Sequence, residues 1–158
     1  MVKGRRVAAV GAVLVVSAVL IPEAAAGARP SADGGGGGRT MRFDVEFSPP
    51  NYTDFGPTGF SAPDVIVFRD TLLRDGEPAG HEVGSCVLVD TAGTANCTGV
   101  VTLDGRGTIA FAFENAPPPE KTVAVTGGSG EFRAASGDGV FLEAADQTAT
   151  LTLTLVGP

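Results

Sequence analysis

Asp70 carries the sharpest chemical signal in this sequence. In the stretch Asp64 to Leu73, alternation sends Ile66, Phe68, Asp70 and Leu72 to one face of a strand, so a carboxylate stands among apolar side chains. Desolvation in such a setting raises a carboxyl pKa and equips the group to act as a general acid. At a strand end outside the sheet interior, the same aspartate would instead pair with Arg69 or Arg74. Other chemistries are poorly supplied. Two cysteines and one histidine in 158 residues do not provide a zinc site or a Cys/His nucleophile pair, and His81, beside Glu82 near a turn, reads as a solvated surface residue. No metal and no cofactor are expected. The glycines at 127, 128 and 130 invite a phosphate-loop reading, but no Gly-Lys-Ser/Thr follows and the next segment has a strand pattern.

The elements that must position Asp70 are strands. Strict apolar–polar alternation dominates from Met41 onward and helical periodicity is nearly absent, which makes the chain all-β. Expected strands are Met41 to Ser48, Asp64 to Leu73, Glu82 to Val89, Asn96 to Leu103, Thr108 to Glu114, Thr122 to Thr126, Gly139 to Glu143 and Thr148 to Leu155. Eight strands of this length close into a small antiparallel β-barrel. The segment from Pro49 to Pro63 reads as a loop whose Tyr52, Phe55 and Phe60 fold over an open end of the sheet, as a hydrophobic plug or as a lid. If the third and fourth strands turn at Thr91-Ala92, cross-strand partners have residue numbers summing to 183, which sets Cys86 opposite Cys97. A disulfide is then the expected state in an oxidising compartment.

Export is expected from the N-terminus. Lys3, Arg5 and Arg6 precede an apolar run from Val7 to Ile21, then Pro22 and the small-residue site Ala24-Ala25-Ala26, so residues 1–26 read as a secretory signal peptide. Sec and twin-arginine routes both remain open at Arg5-Arg6. Cleavage there removes three basic residues and Glu23, moving the formal charge from -7 to -9. An acidic protein of this kind repels nucleic acid and anionic membrane surfaces, so neither is an expected partner. Residues 27–40, with Gly34 to Gly38 unbroken, read as a flexible linker, and 41–158 as one domain.

Two short apolar runs, Val123 to Val125 and Val140 to Leu142, flank the run Thr126-Gly127-Gly128-Ser129-Gly130-Glu131-Phe132-Arg133-Ala134. That run resembles the signature of the superfamily joining plant dirigent proteins and allene oxide cyclases with secreted bacterial relatives. The resemblance implies an eight-stranded barrel with an apolar interior. It implies a small hydrophobic or phenolic ligand, cofactor-free cyclisation, isomerisation or stereochemically guided coupling, and a homo-oligomer, trimeric as in plant relatives. The segment around Asp70 resembles the dirigent stretch in which an aspartate after a histidine lines the pocket; here Arg69 stands in the histidine position, so only the acid carries over. Dirigent proteins place a second arginine where this chain has Ser136. Glu131 in the signature run and Glu46 on the first strand, where allene oxide cyclases use an early glutamate, complete the candidate catalytic acids. Solvent-facing readings compete for both, as a turn carboxylate and as an outer-face residue. A secreted, non-catalytic module that binds a ligand or partner is the competing class of function.

Overall fold

Alternation in the sequence becomes inside and outside in the structure, a computed structural model that describes residues 38–156. The expected signal peptide and residues 27–37 of the expected linker lie outside the described residues. In β1 (Arg39–Glu46) Met41, Phe43 and Val45 are buried, and the charged residues between them are exposed. The last strand, Thr148–Val156, buries Ala149, Leu151, Leu153 and Leu155 in the same way. Each such aliphatic or aromatic side chain removed from water contributes roughly 1.5–3 kcal/mol, and this is what holds the register.

Nine strands run through the described residues. After β1 come β2 (Asn51–Thr53), β3 (Val65–Arg74), β4 (Glu77–Leu88), β5 (Ala95–Leu103), β6 (Gly107–Asn115), β7 (Glu120–Gly128), β8 (Ser136–Glu143) and β9 (Thr148–Val156). All neighbours are antiparallel, and β1 pairs with both β9 and β3, so eight long strands close into a barrel. The ninth, β2, adds to β3 alone. Two of the expected strands begin earlier than their alternation suggested: β4 starts at Glu77 and not at Glu82, and β8 at Ser136 and not at Gly139. Prolines and glycines at those starts blur the pattern without breaking the ladder.

One interruption in the ladder matters for function. Residues 71–73 of β3 pair with β1, and residues 65–67 pair with β2, so β1 and β2 lie end to end along β3. Between them comes Phe47-Ser48-Pro49-Pro50. Prolines have no N–H to give to a ladder, and Pro49-Pro50 force the chain off β3 opposite Phe68, Arg69 and Asp70.

Loop residues 54–64 are tied down by one carboxylate. Fully buried Asp64 accepts hydrogen bonds from the Tyr52 hydroxyl at 2.5 Å, the Phe55 amide at 2.9 Å and the Ser61 amide at 2.8 Å. The Tyr52 hydrogen bond is the main cause that lowers the Asp64 pKa, and the same bond pushes Tyr52 up to about 12. Tyr52, Phe55 and Phe60 are all exposed. Of the two readings of this loop, plug or lid, their exposure rules out the plug; the side chains that reach the barrel end from this segment belong to Pro49 and Pro50.

Cys86 and Cys97 face each other directly across β4 and β5 and form the expected disulfide. Both are buried in a small cluster with Leu88 and Ala95. With only 11 residues of separation, the crosslink removes a short loop's worth of denatured-state entropy, on the order of 3 kcal/mol. Replacing both cysteines by alanine should lower the stability from denaturant unfolding by about that amount. A change below about 0.5 kcal/mol would show that the denatured chain already brings the two strands together.

Candidate functional site

Opposite ends of the barrel are built differently. At the end where β1 begins and β9 finishes, Phe132 from the turn Gly130–Phe132 is buried and belongs to the main hydrophobic core. Arg39 and Arg106 stack their guanidinium groups over its ring, 5.7 and 5.2 Å from the centroid. That end is filled. At the other end, where β1, β6 and β8 finish, the interior holds a cavity of about 200 Å³.

Aromatic rings form one wall of this cavity. Phe111, Phe113, Phe141 and Phe47 follow one another with centroid separations of 6.1, 5.7 and 6.1 Å. Space for the rings comes from Gly84 and Gly99, paired directly across β4 and β5. A Cβ on Gly84 would stand 2.5 Å from the Phe68 ring, and one on Gly99 would stand 2.4 Å from the Phe111 ring. The two rings, both of which line the cavity, lie flush on bare backbone.

Polar groups are few and come from four strands. Asp70 of β3 and Glu82 of β4 are directly opposite in the ladder, both pointing inward, 4% and 2% exposed. Asp70 accepts a hydrogen bond from the Ser48 amide at 2.8 Å, an amide freed by the break between β1 and β2. Burial raises the Asp70 pKa, and the Ser48 bond partly opposes the shift. Glu82 has no such help. Burial pushes it up to about 8, the charge of Asp70 adds to the shift, and among the described residues its Oε2 has no hydrogen-bond partner. Two buried carboxyl groups this close favour a state with a single negative charge, carried on the hydrogen-bonded Asp70. Asn115 and Glu143 line the cavity too, and Glu143 accepts a hydrogen bond at 3.2 Å from buried Lys121, which also donates to the Pro118 carbonyl at 2.7 Å.

Asp70 reaches further than the interior. A second hollow of about 400 Å³ lies outside the break in the ladder, lined by Phe47, Ser48, Pro49, Pro50, Asp70 and Gln147. Phe47, Pro50 and Asp70 line both spaces. The missing rungs opposite Asp70 thus place its carboxylate between the interior and the surface.

The other acids singled out from the sequence stand elsewhere. Glu46 is on the outer face of β1, exposed, opposite Thr71 and Thr148, because its position in the alternation is outward. Glu131 is at the filled end, where Arg106 donates two hydrogen bonds to it at 3.0 and 2.8 Å; that bond chiefly, with Arg39 nearby, lowers its pKa. Its part is to hold the two arginines over Phe132. Neither joins Asp70. His81 sits on the outer face, paired with Thr71 and Thr102. Sequence reasoning missed Glu82, Lys121, Asn115 and Glu143. For Glu82 the signal was present: with the strand extended back to Glu77, its parity matches Cys86 and Leu88, which are buried.

No family model matches the sequence, and no curated protein does either. Solved structures do. A pyocyanin demethylase superposes with a TM-score of 0.68 and 27% identity, over 75% of this chain and 100% of its own. A pterocarpan synthase dirigent protein gives 0.55 and 16%, over 75% of this chain and 92% of its own. The Diels-Alderase AbmU from Streptomyces koyangensis gives 0.56 and 12%, over 80% and 72%. With the closed barrel and its strand order, these likenesses show that the chain shares its antiparallel barrel fold with a pyocyanin demethylase, a dirigent protein and a Diels-Alderase.

Proposed function

We propose that this is a secreted barrel protein that binds a small hydrophobic or aromatic molecule in its aromatic-walled cavity and acts on it without a cofactor, as an isomerase or cyclase. The observation that carries the reading is a buried carboxylate, Asp70, that lines both the cavity and the surface hollow at the break between β1 and β2. Support comes also from the likeness to a demethylase of pyocyanin and to a dirigent protein and a Diels-Alderase on the same barrel. Secretion is supported by the leader sequence and the disulfide, and among the described residues no helix is long and apolar enough to cross a membrane.

In this reading the barrel contributes confinement and one positioned acid–base group. The phenylalanine wall excludes water and orients a flat guest. Asp70, steered by the Ser48 amide, removes or returns a proton at the guest's edge. By superfamily resemblance the working unit is a trimer.

Thermal unfolding against a panel of hydrophobic and phenolic molecules, with wild type and Asp70→Asn in parallel, tests the binding step. A ligand at a hundredfold excess over its Kd stabilises by about 2.7 kcal/mol and raises Tm by several degrees. The asparagine variant should lose most of that shift. If no compound moves wild type, or every compound moves both proteins equally, Asp70 is not part of a binding site. Product formation from a bound compound then separates an enzyme from a module that only holds its ligand.

A further inference from the structure

Among the described residues, Glu82 is the one buried side chain with a polar atom that has no hydrogen-bond partner. Its Oε2 has no partner, the residue is 2% exposed, and the side chain lines the cavity beside the phenylalanine rings. Leaving a polar atom so placed unsatisfied costs about 1–3 kcal/mol. An apolar residue would fill the position better if packing were its only purpose. Its two ladder partners offer no donor: across β5 it faces Val101, and across β3 it faces Asp70, already engaged by Ser48. Lys121, the buried cation of this end, is committed to Glu143 and Pro118.

We propose that Glu82 is the anchoring group of this cavity, a carboxylic acid that donates a hydrogen bond to an acceptor atom, carbonyl oxygen or ring nitrogen, on the edge of a flat aromatic guest lying against the phenylalanine wall. The inference rests on the reading of the cavity as a ligand site and adds the class of ligand. A carboxyl group kept neutral by burial and by the charge of Asp70 is a donor at neutral pH, whereas an ionised one accepts only. The paired acids therefore divide their work. Glu82 holds the acceptor edge of the guest, and Asp70, ionised and nearer the surface, meets the part that reacts.

Quinoline and naphthalene are the probes, flat bicycles of nearly one shape that differ by a ring nitrogen. Titrations of wild type, Glu82→Gln and Glu82→Leu with each, followed by NMR, give six dissociation constants. Wild type should bind quinoline about 10-fold more tightly than naphthalene, the value of one hydrogen bond to a buried acid. Glu82→Gln should keep much of that preference, because its amide still donates. Glu82→Leu should bring the two probes level and leave naphthalene binding in place. A quinoline preference that survives in Glu82→Leu, or equal binding of the probes to wild type, overturns the assignment of Glu82 while leaving the cavity as a ligand site. Binding of neither probe to wild type overturns both. Should Glu82→Leu fail to fold, a wild-type series from about pH 7 to about pH 10, in which quinoline stays neutral, decides the matter. The preference must fall as Glu82 ionises, and a constant preference overturns the proposal.

Discussion

Glu82→Leu should flatten the pH dependence of stability between about pH 5 and about pH 8, a window in which the wild-type protein loses on the order of 4 kcal/mol. In the unfolded chain Glu82 titrates at its ordinary value of 4.5, and in the folded protein burial holds it up to about 8. Below both values the group is protonated in either state and stability does not depend on it. Between them the unfolded chain has released its proton and the folded protein has kept it. Each pH unit then favours unfolding by about 1.4 kcal/mol, until folded Glu82 also ionises. Asp70, also raised by burial, acts in the same direction at the acidic end of the window. Leucine cannot titrate and is close in volume, so the variant should match or exceed wild type at the alkaline end, where wild type must hold two buried charges. Denaturant unfolding at several pH values reads this directly. Parallel curves for the two proteins would show that Glu82 ionises normally in the folded state, and the donor role proposed for it would fall with that result.

The second large effect is expected at Gly130. This residue has φ of +60°, and a Cβ placed on it would stand 2.4 Å from the Arg106 carbonyl oxygen and 2.9 Å from the Gly107 Cα. Ala134, two residues past the same turn, also has positive φ, so the left-handed conformation alone costs an alanine only about 1–2 kcal/mol. Backbone on the far side of the contact is the harder constraint. The Arg106 carbonyl accepts the Glu131 amide at 2.8 Å and cannot retreat without giving up that bond. Strain and overpacking together should make Gly130→Ala destabilising by about 4 kcal/mol. Its consequence should be local to the filled end: Phe132 loosens, and the Arg39 and Arg106 stack over it is lost. Near-wild-type stability for this variant would mean that the β5–β6 turn shifts to make room, and that the glycine signature is not held in place by packing.

Much of the architecture was legible from period-two alternation. The disulfide followed from one turn position and simple register, since a hairpin leaves no freedom once its turn is placed. The inward direction of Asp70 was legible for the same reason, and so was the outward direction of Glu46, which the superfamily resemblance had set against it. For Glu131 the signature run suggested chemistry and its turn position suggested a solvent-facing carboxylate, and the structure places it at a turn, half-exposed and paired with arginine. In the fold it is a clamp on two arginines at the filled end, and that end was invisible until β6 and the turn after β7 were brought together.

What the sequence determined by itself, then, is which face each strand residue takes, because the pleat enforces a period of two whatever the partner strand. It also determined the fold class and the crosslink. Tertiary structure alone decided the site. That Asp70 meets Glu82 depends on the β3–β4 register, that Asp70 reaches the surface depends on where Pro49-Pro50 leave the ladder, and that the Phe68 and Phe111 rings lie against bare backbone depends on Gly84 and Gly99 falling side by side. Each of these joins residues on different strands. Closure of the barrel sets such juxtapositions, and a local pattern carries no record of which strand will become its neighbour.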